Sequence, residues 1–353
     1  MGERSIAGFA RKVHSGEGRP YVERMTATPA FLDSNRPDVP DIVVPRAVLP
    51  FHLPGRPVRG RLIRLGPLAD ALLTRHDNHP TVTGLSGQAL ALAAALASAL
   101  KFRGSFSLQA KGDGPVPMLL ADCTEAGALR GYARANAERL TTLLAVEPEP
   151  PAAALLGGGY LAFTVDQGDD KERHQGIVAI EGESLADMAL HYFETSEQLQ
   201  CSVRLACWRG EHGWRAGALI LERIAGEGGI DPELDAAAQD ESWRNANALA
   251  QTLTDAELLD DGLASEDLLY RLFGLEGVAA QRYRALAYGC RCSRQRLSNI
   301  LEGFSGDDLD HMSVDGDIIM TCEFCNLDFR FDRSEVRGQD GPAASGSADG
   351  ASA

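Results

Sequence analysis

The chain has no long uninterrupted hydrophobic run, few cysteines and too little positive charge to balance its acids, and each shortage excludes a class of protein. The most apolar stretch, residues 85–100, is Ala-rich and broken by Ser86, Gly87, Gln88 and Ser98. It reads as a buried core helix, because a membrane span needs about 20 predominantly apolar residues. The opening MGERSIAGFARKVHSGEGRP lacks the apolar segment of a signal peptide, so no membrane partner and a cytoplasmic location are expected. Seven cysteines in 353 residues are too few to staple a secreted scaffold, and their odd number leaves one over. With 34 basic against 50 acidic side chains the formal charge is −16, which argues against nucleic acid as a partner. Catalytic motifs are missing too: GLSG at 84–87 is not a nucleophile elbow, and GGGY at 157–160 is not a dinucleotide loop. The eight histidines form neither HExxH nor a triad-like pattern, and the reading is of a protein that is not an enzyme. What is present, 44% apolar and 24% charged residues, is ordinary for a globular chain of about two domains.

The negative charge is unevenly spread. Residues 1–225 carry 25 acidic and 24 basic side chains, whereas residues 226–281 carry 13 acidic and only 2 basic. A charge run of this kind is a solvated helical surface in the blander reading. In the sharper one, self-repulsion leaves the stretch only marginally stable.

Residues 1–45 hold Pro20, Pro29, Pro37 and Pro40 with little periodicity and read as a disordered extension; the small, polar tail 334–353 reads the same way. Between them, apolar alternation predicts strands at 59–66, 106–110, 118–121, 129–133, 160–165 and 177–180, and a hairpin of 203–208 with 216–221. Helices are predicted at 85–102 and 184–193, the latter with Ser184 and Asp187 as a capping box. Strands grouped around two helices make residues 46–225 an α+β domain. The acidic stretch turns helical, with Thr254–Glu257 and Ser265 as N-cap signals and Gly274 as a stop, and reads as a loose helical linker.

Four cysteines form the one strong constellation: Cys290 and Cys292 as C-x-C, then Cys322 and Cys325 as C-x-x-C. Two close pairs suit a tetrahedral soft-metal site, each pair offering two thiolates from one side. A donor set of thiolates alone favours zinc over an iron–sulfur cluster. The second pair lies in IIMTCEFCNLDFRF, as at the tip of a β-hairpin, with Asn326 at a position that favours left-handed backbone. After the first pair, SRQRLSNILEGF reads as a helix with Leu297, Ile300, Leu301 and Phe304 on one side. A purely structural zinc and a redox switch both remain open. Arg282, Arg284, Arg291, Arg294 and Arg296 could favour reactive thiolates, balance a tetrathiolate metal or pair with the acidic stretch. Cys201 and Cys207 alternate with Val203 and Leu205, and read with Cys123 as buried core residues.

Over residues 46–333 the sequence resembles the heat-shock protein of 33 kDa family, the bacterial redox-regulated chaperones. The resemblance rests on CxCSR at 290–294, CxxC at 322–325, DGDI at 315–318, LKFRGSFSLQAKGDGP at 100–115, LLGGGYLAFTV at 155–165 and QGIVAIEGESLADMALHYFETSEQL at 175–199. Asn326 stands where a glycine is common, VDGDI replaces a more acidic version, and the extension 1–45 has no counterpart in the pattern. The resemblance implies a chaperone core at 46–225, an acidic helical linker at 226–285 and a zinc-binding redox-switch domain at 286–333. It implies one zinc per chain on Cys290, Cys292, Cys322 and Cys325 when reduced. Oxidation would form the disulfides Cys290–Cys292 and Cys322–Cys325, release zinc and unfold the linker. The activated protein would hold unfolding clients without ATP, as a homodimer. Two other classes stay in view: a zinc knuckle that recognises nucleic acid or a partner, and a thiol–disulfide oxidoreductase using Cys322 and Cys325.

Overall fold

Strand alternation builds the larger part of the molecule. The computed structural model describes residues 40–99, 104–167, 173–224 and 235–338. The lead-in before residue 40, residues 100–102 of the expected helix, residues 226–234 of the acidic stretch and the tail beyond 338 lie outside them. Contacts divide the chain into a first unit containing Pro40–Cys290 and a second that contains the residues from Arg291 on.

The first unit is organised on a sheet of eleven strands. In chain order these are β1 (Val43–Leu53), β2 (Val58–Arg64), β3 (Ser105–Gly112), β4 (Met118–Thr124), β5 (Ala128–Arg134), β6 (Gly159–Asp166), β7 (His174–Ala179), β8 (Cys201–Gly210), β9 (Gly213–Arg223), β10 (Ala279–Ala280) and β11 (Arg284–Tyr288). Across the sheet the order is β7-β6-β3-β4-β5-β11-β1-β2-β9-β8, with β10 also paired to β1. The β5–β11 pair is parallel and the other pairs are antiparallel, in keeping with the expected α+β class. Strand β1, interrupted by Pro45 and Pro50, gave no alternation signal; β10, expected to be linker, is a strand, and β11 runs across the expected boundary between linker and zinc-binding domain at 285/286.

Helix α1 (Pro67–Leu73) and helix α2 (Pro80–Ala99) follow β2. α2 starts at Pro80 rather than at 85, because proline suits a first helical turn whose N–H groups have no partner anyway. It is long and apolar enough to cross a membrane by length and composition, but 78% of that window is buried within the protein. Leu90, Leu92, Ala93 and Ala94 are fully enclosed, which makes it a core helix as expected. Two short helices, α3 (Ala137–Val146) and α4 (Ala152–Leu156), precede α5 (Leu185–Thr195). At the start of α5 both halves of the predicted capping box form, Asp187 N–H to Ser184 Oγ and Ser184 N–H to Asp187 Oδ2. Its apolar side buries Leu185, Met188 and Tyr192, and Tyr192 stacks on Phe163 at 4.4 Å between centroids.

The acidic stretch is helical but not loose. Helices α6 (Ala236–Gln251), α7 (Asp255–Leu259) and α8 (Ser265–Phe273) bury Ala246, Leu258, Leu268, Leu269, Leu272 and Phe273 against Leu49, Phe51, Leu62, Leu219 and Leu221 of the sheet. The Thr254–Glu257 capping box forms. Ser265, by contrast, is the first residue of α8 and not its cap; the cap position is Ala264, and Glu266 and Asp267 complement the helix dipole without a side-chain bond. α8 ends at Phe273 with Gly274 at its C-cap, as predicted.

These helices and α2 lie on opposite faces. Ala206 packs against the linker, whereas a Cβ added to Gly87 of α2 would sit 2.2 Å from the sulfur of Cys207. Successive strand residues point to opposite sides, so the neighbours Ala206 and Cys207 mark the two faces.

The second unit holds α9 (Arg294–Leu301), α10 (Gly306–Met312) and an antiparallel hairpin of β12 (Asp317–Thr321) and β13 (Asp328–Asp332). Ile318, Phe329, Phe331, Leu301 and Leu309 are its buried apolar residues.

Candidate metal centre

The first cysteine pair begins two residues beyond β11. That strand is held on both sides: Ala287 N–H donates to Gly127 O at 2.8 Å, and Tyr288 N–H to Ile42 O at 2.9 Å. Gly289 N–H donates to Leu129 O at 2.8 Å, and a Cβ at Gly289 would lie 2.4 Å from the carbonyl carbon of Ala128. Only a glycine permits that approach, so the residue before Cys290 is set by the sheet. Ser293, directly after Cys292, caps α9 by accepting from Arg296 N–H.

The second pair is at the tip of the β12–β13 hairpin, as predicted. Cys322 N–H donates to Leu327 O at 3.0 Å, and Asn326 N–H closes the turn on Cys322 O at 2.8 Å. Asn326 has φ 53°, the left-handed conformation expected of it. Cys322 and Cys325 open no helix, so the arrangement that depresses a thiol in thioredoxin-like sites is not formed around them.

The four ligand atoms come together: the sulfurs of Cys290, Cys292, Cys322 and Cys325 all lie within 4.8 Å of one another. Cys292 and Cys325 are 3.5 Å apart. A tetrahedral ion with bonds of about 2.3 Å to sulfur requires sulfur–sulfur separations of roughly 3.8 Å, so the cluster fits such an ion with adjustments of about 1 Å or less. Cys290, Cys292 and Cys325 are buried and Cys322 is half-buried. Among the described residues no histidine or carboxylate joins them, leaving a pure soft-donor set.

The surrounding residues support the knuckle. Arg294 donates to Arg330 O at 2.6 Å and its guanidinium lies 4.5 Å from the centre of the Phe331 ring, tying α9 to the hairpin. Arg284 donates to Ser98 O at 2.8 Å. Of the four apolar residues expected on one side of α9, only Leu301 is buried, while Ile300 and Phe304 are exposed at 47% and 39%. The helix ends at Leu301, too early to carry Phe304 on the same face.

The remaining cysteines lie elsewhere. Cys123 is buried as expected, but Cys201 and Cys207 are only half-buried. Burial still pushes both of these thiols up to about 12, which makes them poor nucleophiles.

Sequence reasoning missed which cations face the acidic stretch. Arg56 meets Glu276 at 2.9 Å, Arg204 meets Asp255 at 3.6 Å, and Arg215 meets Asp261 at 2.7 Å. Arg46 pairs with Glu266 at 2.6 Å and Arg223 with Asp240. Arg64 adds bonds to the backbone oxygens of Leu263 and Glu257. Arginines alternating with apolar residues on β2, β8 and β9 were the available signal, but a strand pattern does not say what faces it.

Known proteins agree with this architecture. The family model described as Hsp33 protein matches residues 47–332. A 33 kDa chaperonin of Caulobacter vibrioides is 40% identical over 295 residues, covering 82% of this chain and 96% of its own. One from Azotobacter vinelandii is 37% identical over 281 residues, covering 79% and 89%. The crystal structure of the 33 kDa chaperonin from Thermotoga maritima superposes with a TM-score of 0.66 at 21% identity, covering 82% of this chain and 96% of that one. With the family model spanning most of the chain and relatives this similar over nearly their whole length, the chain belongs to the Hsp33 family.

Proposed function

We propose that this protein is an ATP-independent, cytoplasmic molecular chaperone whose activity is switched by the redox state of Cys290, Cys292, Cys322 and Cys325. The observation that carries the reading is the four-sulfur cluster at the end of β11, the strand that joins two groups of strands in the sheet. Reduced, the four thiolates hold one zinc ion, and the bound ion supplies a cross-link that stabilises the fold of the knuckle. An oxidant of the peroxide class converts each pair, Cys290–Cys292 and Cys322–Cys325, to a disulfide. In each pair two thiolates give up two electrons as the S–S bond forms, and one hydrogen peroxide takes up those electrons with two protons from solvent, breaking its O–O bond to become two waters. The resulting disulfides no longer offer the thiolates that metal binding requires.

The acidic linker is the element this change would release. It packs through one apolar stripe and is otherwise held by arginine pairs in which the carboxylate is substantially open to solvent, as at Glu266, Asp255, Asp261 and Asp240. Exposed pairs of that kind contribute little, about 0–1 kcal/mol each. Undocking would uncover Leu49, Phe51, Leu62 and Leu221 for unfolding clients, with the active form a homodimer.

The test is a paired measurement on one sample. Peroxide with mild heat should release about one zinc per chain, read with a colorimetric chelator, and the same sample should suppress light scattering by a denatured client. A reduced, metal-loaded protein that suppresses scattering equally well would remove the switch.

A further inference from the structure

The sheet face under the linker has a chemical pattern of its own. Leu62, Leu219 and Leu221 form its apolar floor together with Leu49 and Phe51. Strand alternation puts Arg64 on the side of Leu62, Arg215 and Arg223 on the side of Leu219 and Leu221, and pairing sets Arg204 opposite Leu219. Arg46 and Arg56 flank the floor at β1 and just before β2. Five of these arginines meet carboxylates, all supplied by the linker: Asp240, Asp255, Asp261, Glu266 and Glu276. Several of those carboxylates face solvent, with Asp255 66% and Asp240 56% exposed, so the pairs do little to clamp the linker. Their arrangement instead selects which kind of chain fits: an apolar stripe bordered by acids.

We propose that this face, once vacated, preferentially takes client segments in which leucine- or phenylalanine-type side chains are flanked by carboxylates, the linker being its resident occupant and the pattern of what replaces it. The proposal rests on the reading that oxidation undocks the linker. The protein's overall negative charge does not oppose it, since residues 1–225 are near neutral and charges beyond about 8 Å are screened at physiological salt.

The test uses the oxidised full-length protein on a peptide array tiling a thermally unfolded client, each apolar segment printed with Asp/Glu, Asn/Gln or Lys flanks. Acid-flanked spots should retain about fivefold more protein than Lys-flanked ones, the sum of a few exposed charge pairs. That ratio should shrink at 0.5 M salt, to about its limiting value of one, because exposed pairs are screened. In the variant combining Arg204→Gln, Arg215→Gln and Arg223→Gln the ratio should fall below about twofold. The salt series on the unaltered protein needs no variant to fold. Equal retention on acid- and Lys-flanked spots, or a preference indifferent to salt, overturns the proposal. Light scattering with the same oxidised sample separates the two readings. Suppression of aggregation without charge preference sinks only the face's selectivity, whereas no suppression sinks the chaperone reading and this inference together.

Discussion

One sheet carries two helical covers that could hardly differ more. α2 lies on one face with no charged side chain along its length and most of its residues enclosed. On the other face, α6–α8 bury a single stripe and turn their acids outward to arginines at the rim. Burial of apolar area stabilises by about 25 cal/mol per Å², so α2 gains around most of its circumference and the linker along one side only. The comparison teaches how one scaffold can carry two kinds of cover: one enclosed around most of its surface, the other packed through a single apolar stripe and bordered by ion pairs that salt can screen.

The harshest way to break the contrast is to charge the enclosed cover. Leu92→Asp places an unpaired carboxylate where no solvent reaches, and should lower stability by about 3–5 kcal/mol or abolish soluble expression, read as the unfolding midpoint. Phe273→Ala attacks the other cover at its best-packed point, the ring stacked on Phe51 at 5.5 Å. The local loss should be about 3–4 kcal/mol, with amide exchange accelerated across 236–273 while β3–β6 stay protected. If exchange rises equally across the sheet, the two covers are not independent. Gly289→Ala forces a Cβ onto the backbone of Ala128 and should cost about 1–3 kcal/mol, with weaker zinc retention at the adjacent Cys290 in a chelator competition.

Acid should separate the covers without mutation. Hydrogen bonds from Thr254 hold Glu257 below the usual carboxylate range, with Arg271 adding to the effect. For Glu266, burial pushes upward, but the bond from Tyr283 and the nearby Arg46 outweigh it and its value is lowered. A carboxylate depressed in the folded state stabilises above its unfolded pKa and loses that contribution as pH falls through the folded one. The helices of the acidic stretch and their contact with Arg46 should therefore weaken at pH values below about 4, whereas α2 itself has nothing to titrate. Limited pepsin digestion across that range should cut first within 236–276. The smallest effect belongs to Arg215→Gln, at most about 1 kcal/mol, visible as a modest rise in linker exchange that high salt reproduces in the unaltered protein.

Local signals were read with most success. The capping boxes at Ser184 and Thr254, the left-handed Asn326 and the hairpin presenting Cys322 and Cys325 depend on residues a few positions apart, and each is formed. The apolar helix was legible from 85 on, because its composition leaves no alternative in water, although its start at Pro80 was not read. Misread positions are those where a distant partner decides. Proline obscured β1, and the alternation at Cys201 and Cys207 did not reveal that both would be only half-buried on a strand at the end of the sheet.

By itself the sequence determined the four cysteines and their spacing, the segregation of negative charge into residues 226–281 and the helical character of that stretch. Only the tertiary structure decided that the four sulfurs meet within 4.8 Å, and that β11 runs between β5 and β1 just before Cys290. It alone decided that the linker's acids face arginines from strands far away in the chain. The reason is physical: caps and turns are satisfied by near neighbours along the backbone, while sheet order and ion pairing depend on contacts between segments whose separation in sequence carries no local trace.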